Sequence, residues 1–176
     1  MSDEPRILCC LTATKKWYGR LIRWASDSKV NHSFLKHEDS FWDDWRATEI
    51  NEIGPHDCDV DRLQRIDYIE HWESDISLLK GMRAVRKVVG GSKYDWRGLL
   101  FGILRLIWIK ATGRKVTKAV HSDNRWFCSE FVARVIKESG VPGTEDWEPE
   151  NIAPGMLREF FLDSPHFHLV EDPTGG

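Results

Sequence analysis

The sequence predicts an α+β fold, and three observations carry that expectation. Strand-length apolar runs occur near the N-terminus, at Arg6 to Thr12 (RILCCLT) and Val30 to Lys36 (VNHSFLK). Longer segments, Ile76 to Val89 and Phe127 to Ser139, carry apolar residues at helical spacing. Gly, Pro and Ser/Asp clusters separate these pieces. With 176 residues there is enough chain for one domain with a sizeable core, so residues 1–176 read as a single domain.

In chain order, Arg6 to Thr12 suits a buried strand, and Lys15 to Ala25 (KKWYGRLIRWA) a short helix. Ser26, Asp27 and Ser28 break that pattern before the strand Val30 to Lys36, which has His32 near its start. Phe41 to Ile53 mixes aromatics with Thr48, Ile50 and Ile53. It predicts one or two further strands around a turn at Glu38 to Ser40, ended by Gly54-Pro55. Asp61 to Tyr68 fits either a strand or a helix. Ile76 to Val89 is a helix stopped by Gly90-Gly91, Trp96 to Ala111 a second apolar helix, and Gly113 to His121 a basic loop. Phe127 to Ser139 is a third long helix, with Phe127, Phe131, Val132, Val135 and Ile136 on one face. Gly140 lies just past its end and Pro142 prevents continuation. After a turn-rich stretch from Thr144 to Pro154 come a short helix, Gly155 to Leu162, and a last strand, Phe167 to Val170. No internal repeat is present.

Nine Trp residues and an ordinary charged fraction argue against disorder. The formal charge of -3 gives no reason to expect a nucleic-acid partner. The charge is uneven, however: between Lys80 and Lys118 there are eleven Lys and Arg against Asp95 alone. That segment reads as solvated helix faces and a loop balanced by acidic stretches elsewhere, or as contact with an anionic polymer, phosphate or membrane surface. The four cysteines, Cys9, Cys10, Cys58 and Cys128, form no CxxC pair, so neither a zinc knuckle nor a disulfide framework is expected. No cofactor and no metal are expected. The N-terminus lacks the basic-then-apolar layout of a secretory signal. The longest apolar stretch, Gly98 to Ile109, contains Arg105 and is too short to span a bilayer. Cytoplasmic synthesis follows, with release by lysis, carriage in a virion or an intracellular role all compatible.

The stretch RWFCSEFVARVI, Arg125 to Ile136, puts Cys128 where an aromatic run turns into a helix. Asp123 or Asn124 would cap a helix beginning near Arg125, placing Cys128 within or just after its first turn. Backbone N–H groups and the helix dipole favour a thiolate there. The competing reading is a small core hydrophobe. A cysteine nucleophile needs a base and a group to orient it, both of which can lie far away in sequence. Among seven histidines, His32 ranks first because it sits in an apolar strand after a polar turn, and His121 stays open. His37 and His56 look like turn residues, and His71 lies in an acidic run.

Four segments in this order, GRLIRWASDSKVNHSFL, an acid on the following strand, YDWRGLL and RWFCSEFVARVIKESG, resemble the circularly permuted NlpC-type cysteine peptidases of the papain-like superfamily. The YiiX-like and phage-encoded branches come closest. The resemblance runs from Ile7 to about Phe161, including PENIAPGMLREF, and matches the permuted order in which the histidine precedes the cysteine. It implies a permuted papain-like fold, with a small antiparallel β-sheet or barrel packed against helices that include the nucleophile helix. It further implies Cys128 as nucleophile and His32 as base. Glu49 in RATEINEIG is the match for the third member, although the gap from His32 is longer than the usual pattern and Asp43, Asp44 and Glu52 compete. The KYDWRGLL box would form a cleft wall, with Tyr94 the residue to touch substrate and Asp95 and Trp96 structural. Trp126 belongs with the substrate contacts, and Ser129 could lend its backbone N–H to an oxyanion site.

The mechanism so implied is attack of the Cys128 thiolate on an amide or ester carbonyl, an acyl-enzyme, and release by water or another nucleophile. The family substrate is a D-glutamyl or diaminopimelate linkage in bacterial cell-wall peptides. Lipid-handling relatives resembling lecithin retinol acyltransferase share the permuted fold, so a lipid acyltransferase or thioesterase is the alternative, with the apolar Gly98 to Ile109 helix as its supporting feature. A non-catalytic binding or structural module, such as part of a phage tail or virion, is the third reading.

Overall fold

The eight residues ILCCLTAT form a strand buried on both faces for all but its last residue, as a central strand must be. This strand, β1 (Ile7–Thr14), is the axis of a computed structural model that describes residues 4–39, 44–51, 54–59, 66–89, 93–94, 104, 107–108, 111–112 and 125–171. The other main strands are β2 (His32–Asp39), β3 (Asp44–Asn51), β4 (Gly54–Asp59), β5 (Ile66–Ser74) and β8 (Phe167–Val170). They form a six-stranded sheet in the order β4-β3-β2-β1-β5-β8 with every neighbouring pair antiparallel. The sheet is open, with β4 and β8 at its edges, and is not a closed barrel. Two short strands, β6 (Lys93–Tyr94) and β7 (Arg125–Trp126), pair in parallel.

Side-chain alternation gives the sheet two apolar faces. Leu8, Cys10, Phe34 and Ala47 make a small cluster on one. Cys9, Leu11, Leu35 and Ile50 join the main core on the other, where the helices pack. The helices are α1 (Trp17–Ser26), α2 (Leu79–Val89), α3 (Cys128–Glu138) and α4 (Pro154–Asp163). The molecule is therefore α+β.

The face of α3 expected from its periodicity is the buried one: Phe131, Val132, Val135 and Ile136 are each 0–1% exposed. Burying side chains of this size stabilises by about 1.5–3 kcal/mol each. α3 packs on β2 and against α2, where Gly81 permits a close approach. A Cβ at Gly81 would run into the Val135 carbonyl oxygen and Ser139 Oγ, and the Gly81 N–H donates to that same Oγ at 3.2 Å. α3 ends as expected, with Gly140 at φ +78. In the same core, toward the β5–β8 end of the sheet, Phe161 of α4 stacks on Phe167 at 4.4 Å and tilts against Trp72 at 5.6 Å.

Four expectations need correction. Gly54-Pro55 does not merely close a strand: it opens β4, where Pro55 sits opposite Ile50 on the sheet edge, a place that tolerates a missing N–H. The ambiguous segment is a strand, β5, that continues through the acidic run to Ser74, and His71 within it is buried. Its charges are accommodated by partners: Glu70 accepts from Arg158 Nε at 2.9 Å and from Trp72 Nε1 at 3.1 Å. His37 and His56 lie on β2 and β4 and not in turns. The third long helix begins at Cys128 and not near Arg125, because Arg125 and Trp126 are extended and Phe127 is its N-cap.

Gly90-Gly91, the basic loop from Gly113 to His121, Asp123 and Asn124 lie outside the described residues. So does most of the Trp96 to Ala111 segment, of which Leu104, Ile107, Trp108 and Ala111 are helical. Among the described residues, no helix is long and apolar enough to cross a membrane.

Candidate active site

Cys128 stands at the junction of β7 and α3, as the first helical residue after an extended Phe127. The chain at this junction is anchored in two ways. β7 pairs with β6, Trp126 opposite Tyr94, and Glu130 in the first turn of α3 accepts the Phe127 N–H at 3.3 Å. Phe127 has no side-chain acceptor, so only the Glu130 half of a capping box forms. At this position the sulfur meets the helix N-terminus, whose unpaired N–H groups favour an anion.

His32 is the first residue of β2, held by the residue before it. The Asn31 N–H donates to the Thr12 carbonyl at 2.9 Å. Asn31 Oδ1 accepts from the Thr14 N–H at 3.0 Å and from Arg23 Nη1 at 2.8 Å, and Asn31 Nδ2 donates to Thr14 Oγ1 at 3.0 Å. Gly19 of α1 leaves room for this knot, since a Cβ there would strike Thr14 Oγ1 and Asn31 Nδ2. The end of β1, the helix α1 and the start of β2 are thus tied together one residue from the imidazole.

Glu49 lies in the middle of β3, and strand alternation puts it on the face that carries His32 and Phe34. His32 Nε2 is 3.0 Å from Glu49 Oε2, with the two side chains 16% and 10% exposed. The imidazole also shares a hydrogen bond with Cys128. Cys128, His32 and Glu49 are therefore contiguous in the order cysteine, histidine, carboxylate. Of the competing acids, Asp44 starts β3 opposite Asp39, remote from His32; Asp43 and Glu52 lie outside the described residues.

The electrostatics follow from this contact. Burial by itself would lower the His32 pKa, but the Cys128 thiolate and Glu49 outweigh it and push the imidazole up to about 10. Burial by itself would raise the Cys128 thiol; the His32 charge and hydrogen bond, with the backbone N–H groups of Ser33 and Ser129, hold it below its usual value. Cys9 is the internal comparison. It is fully buried, and burial with no opposing charge pushes its thiol strongly up. None of the four cysteines is in a disulfide.

Of the remaining expected contacts, the Ser129 N–H bonds the Cys128 sulfur. Trp126 is 6% exposed in the main core, two residues before Cys128, with the Arg134 guanidinium 5.0 Å from its ring centroid. Tyr94 has its backbone on β6, and its side chain lies outside the described residues, as do Asp95 and Trp96. Three contributors escaped the sequence reading: the Ser33 N–H, Asn31, and His56, whose Nε2 is 3.2 Å from the second oxygen of Glu49. A backbone N–H carries no sequence signal. Asn31 could have been suspected as a polar residue immediately before a strand whose interior is apolar.

No protein-family model matches this chain, and no curated protein matches it either. The chemistry of the site rests on its own geometry: a thiolate-forming cysteine at a helix start, an imidazolium beside it and a carboxylate that fixes the ring.

Proposed function

We propose that this chain is a cysteine hydrolase of the circularly permuted NlpC type, cleaving amide bonds in bacterial cell-wall peptides. One observation carries the reading: His32 is bonded to Glu49 at 3.0 Å through Nε2 and shares a hydrogen bond with Cys128. In this reading Cys128 Sγ attacks the carbonyl carbon, and the oxyanion forms beside the N–H groups that converge on the sulfur. One such donor typically contributes about 2.7–4 kcal/mol to the transition state. The leaving amine takes its proton from His32, and the thioester is then cleaved by water that His32 deprotonates, with Glu49 holding the ring throughout.

A lipid-ester substrate is the second reading, and exposed aromatics favour it. Trp17 is 75% and Trp24 56% exposed on α1, seven residues apart on one face, and Trp108 is 54% exposed. The two readings part in one experiment. The protein is mixed with purified wall peptides or with lipid esters, and the intact mass is recorded after acid quench. The proposal expects an acyl adduct on Cys128 and turnover with wall peptides, both absent in Cys128→Ser. An adduct only with lipid esters transfers the assignment to acyl transfer on lipids. No adduct and no turnover with either class leaves a binding module.

A further inference from the structure

Glu49 faces two imidazoles. His32 takes Oε2 at 3.0 Å, and His56 Nε2 lies 3.2 Å from Oε1. His56 is directly opposite Glu49 in the β3–β4 ladder, and Cys58, two residues further along β4, projects from the same face. One ligand atom from each of Glu49, His56 and Cys58 lies within 4.8 Å of the other two. Glu49 is buried, while His56 and Cys58 are half-buried on the edge strand, where an ion can reach them.

A carboxylate oxygen, an imidazole nitrogen and a thiolate sulfur are the donors that suit Zn²⁺, with bonds of about 2.0–2.3 Å. A tetrahedron with such bonds has its ligand atoms about 3.5 Å apart. Glu49 Oε1 and His56 Nε2, 3.2 Å apart, already stand near that spacing, and the sulfur, within 4.8 Å of both, closes in by at most about 1.3 Å, which side-chain torsions on an edge strand can supply.

We propose that Glu49 Oε1, His56 Nε2 and Cys58 Sγ form a Zn²⁺ site, with water in the fourth position, on the β3–β4 ladder next to the cysteine–histidine pair. The metal takes Oε1 and leaves Oε2 to His32, so one carboxylate joins two sites. Cysteine spacing along the chain does not reveal such a site, because its ligands come from two strands and no CxxC pair is used. The site rests on the placement of Glu49, His56 and Cys58 and stands whether or not Cys128 is a nucleophile.

Cobalt titration of the full chain tests it, because a Co²⁺–thiolate bond gives a charge-transfer absorption that reports the sulfur directly. The expected result is one equivalent of Co²⁺, displaced by Zn²⁺, with an absorption lost in Cys58→Ser and kept in Cys128→Ser. Partners one step outside a metal's ligands already cost 10–100-fold in affinity when mutated, so His56→Gln should weaken Zn²⁺ binding by about tenfold or more, measured against a chromophoric chelator. Two results overturn the proposal: no thiolate absorption in the wild type, or an absorption that survives Cys58→Ser and vanishes in Cys128→Ser, which would put the metal on the nucleophile. His56→Gln keeps all four cysteines and serves as the second variant should Cys58→Ser fail to fold.

Discussion

Replacing His32 by alanine should move Cys128 from a thiol held below its ordinary value toward the behaviour of Cys9. In the wild type, burial opposes ionisation of Cys128 but is outweighed by the His32 charge and hydrogen bond and by the N–H groups of Ser33 and Ser129. His32, with its pKa raised to about 10, stays protonated through the neutral range. The pair is thus thiolate and imidazolium from the lowered thiol value up to about pH 10, and alkylation switches on as pH rises through the lower limit. Without the imidazole, the largest remaining influence is burial, which acts upward. The midpoint should then rise to at least the ordinary value of about 8.5, each unit corresponding to about 1.4 kcal/mol. At pH 7 the thiolate fraction would be about 3% or less. The assay is the pH profile of iodoacetamide alkylation, resolved at Cys128 by mass spectrometry, in wild type, His32→Ala and the bulkier His32→Gln. The midpoint is the quantity to compare, since a less basic thiolate is also a weaker nucleophile and the rate alone blurs the effect. A wild-type midpoint at or above 8.5, or one that neither substitution moves, would refute the ion pair.

Glu49→Gln keeps the shape of the side chain and removes its charge. Turnover of wall peptide should fall by roughly a hundredfold, the lower end of what a positioned acid–base group contributes. Unchanged turnover in the folded variant would exclude Glu49 from the site. Gly81→Ala forces a methyl into the Val135 carbonyl and Ser139 Oγ; urea unfolding should show a loss of about 1–3 kcal/mol, and a change below about 0.5 kcal/mol would mean that α2 and α3 are not in close contact. Asn31→Ala removes three side-chain hydrogen bonds and leaves the Thr14 N–H and the Arg23 guanidinium without that acceptor. A loss of about 1–3 kcal/mol is expected, together with a lower turnover number, because the backbone next to His32 is released. Wild-type turnover in this variant would show that β2 holds its first residue without the knot.

The parts of the fold legible in the sequence are those whose burial is apolar. β1 and α3 announce themselves because their buried residues are mostly Leu, Val, Ile, Phe and Cys, and β8 because the short run Phe167 to Val170 follows a turn. β5 is buried too, but its inner positions include Glu70 and His71, which are tolerable only beside partners such as Arg158, and no window on one strand contains that information. β4 carries Gly, Pro and two Asp residues because an edge strand meets water, so its sequence looks like a turn. The site divides in the same way. Cys128 and His32 stand out through the segments that surround them, while in the sequence Glu49 competes with three nearby acids, and only the register of β2 and β3 puts its carboxylate beside the imidazole. The start of α3 matters most for the chemistry: as first helical residue after the N-cap Phe127, Cys128 lies at the helix terminus.

The two halves of the site are made at different times. His32 and Glu49 lie on neighbouring strands of one hairpin and can meet as soon as that hairpin closes, a local event. Cys128 joins them only after α3 has docked on β2 and α2, contacts that span most of the chain. During synthesis, which proceeds from the N-terminus, the ribosome releases His32 and Glu49 well before the Cys128 thiol is there to meet them. An incomplete chain therefore has no activated nucleophile at this site, and a finished chain whose α3 has come loose loses the thiolate with it. In the proposed reading, completion of the fold is in this sense the safety catch of the site.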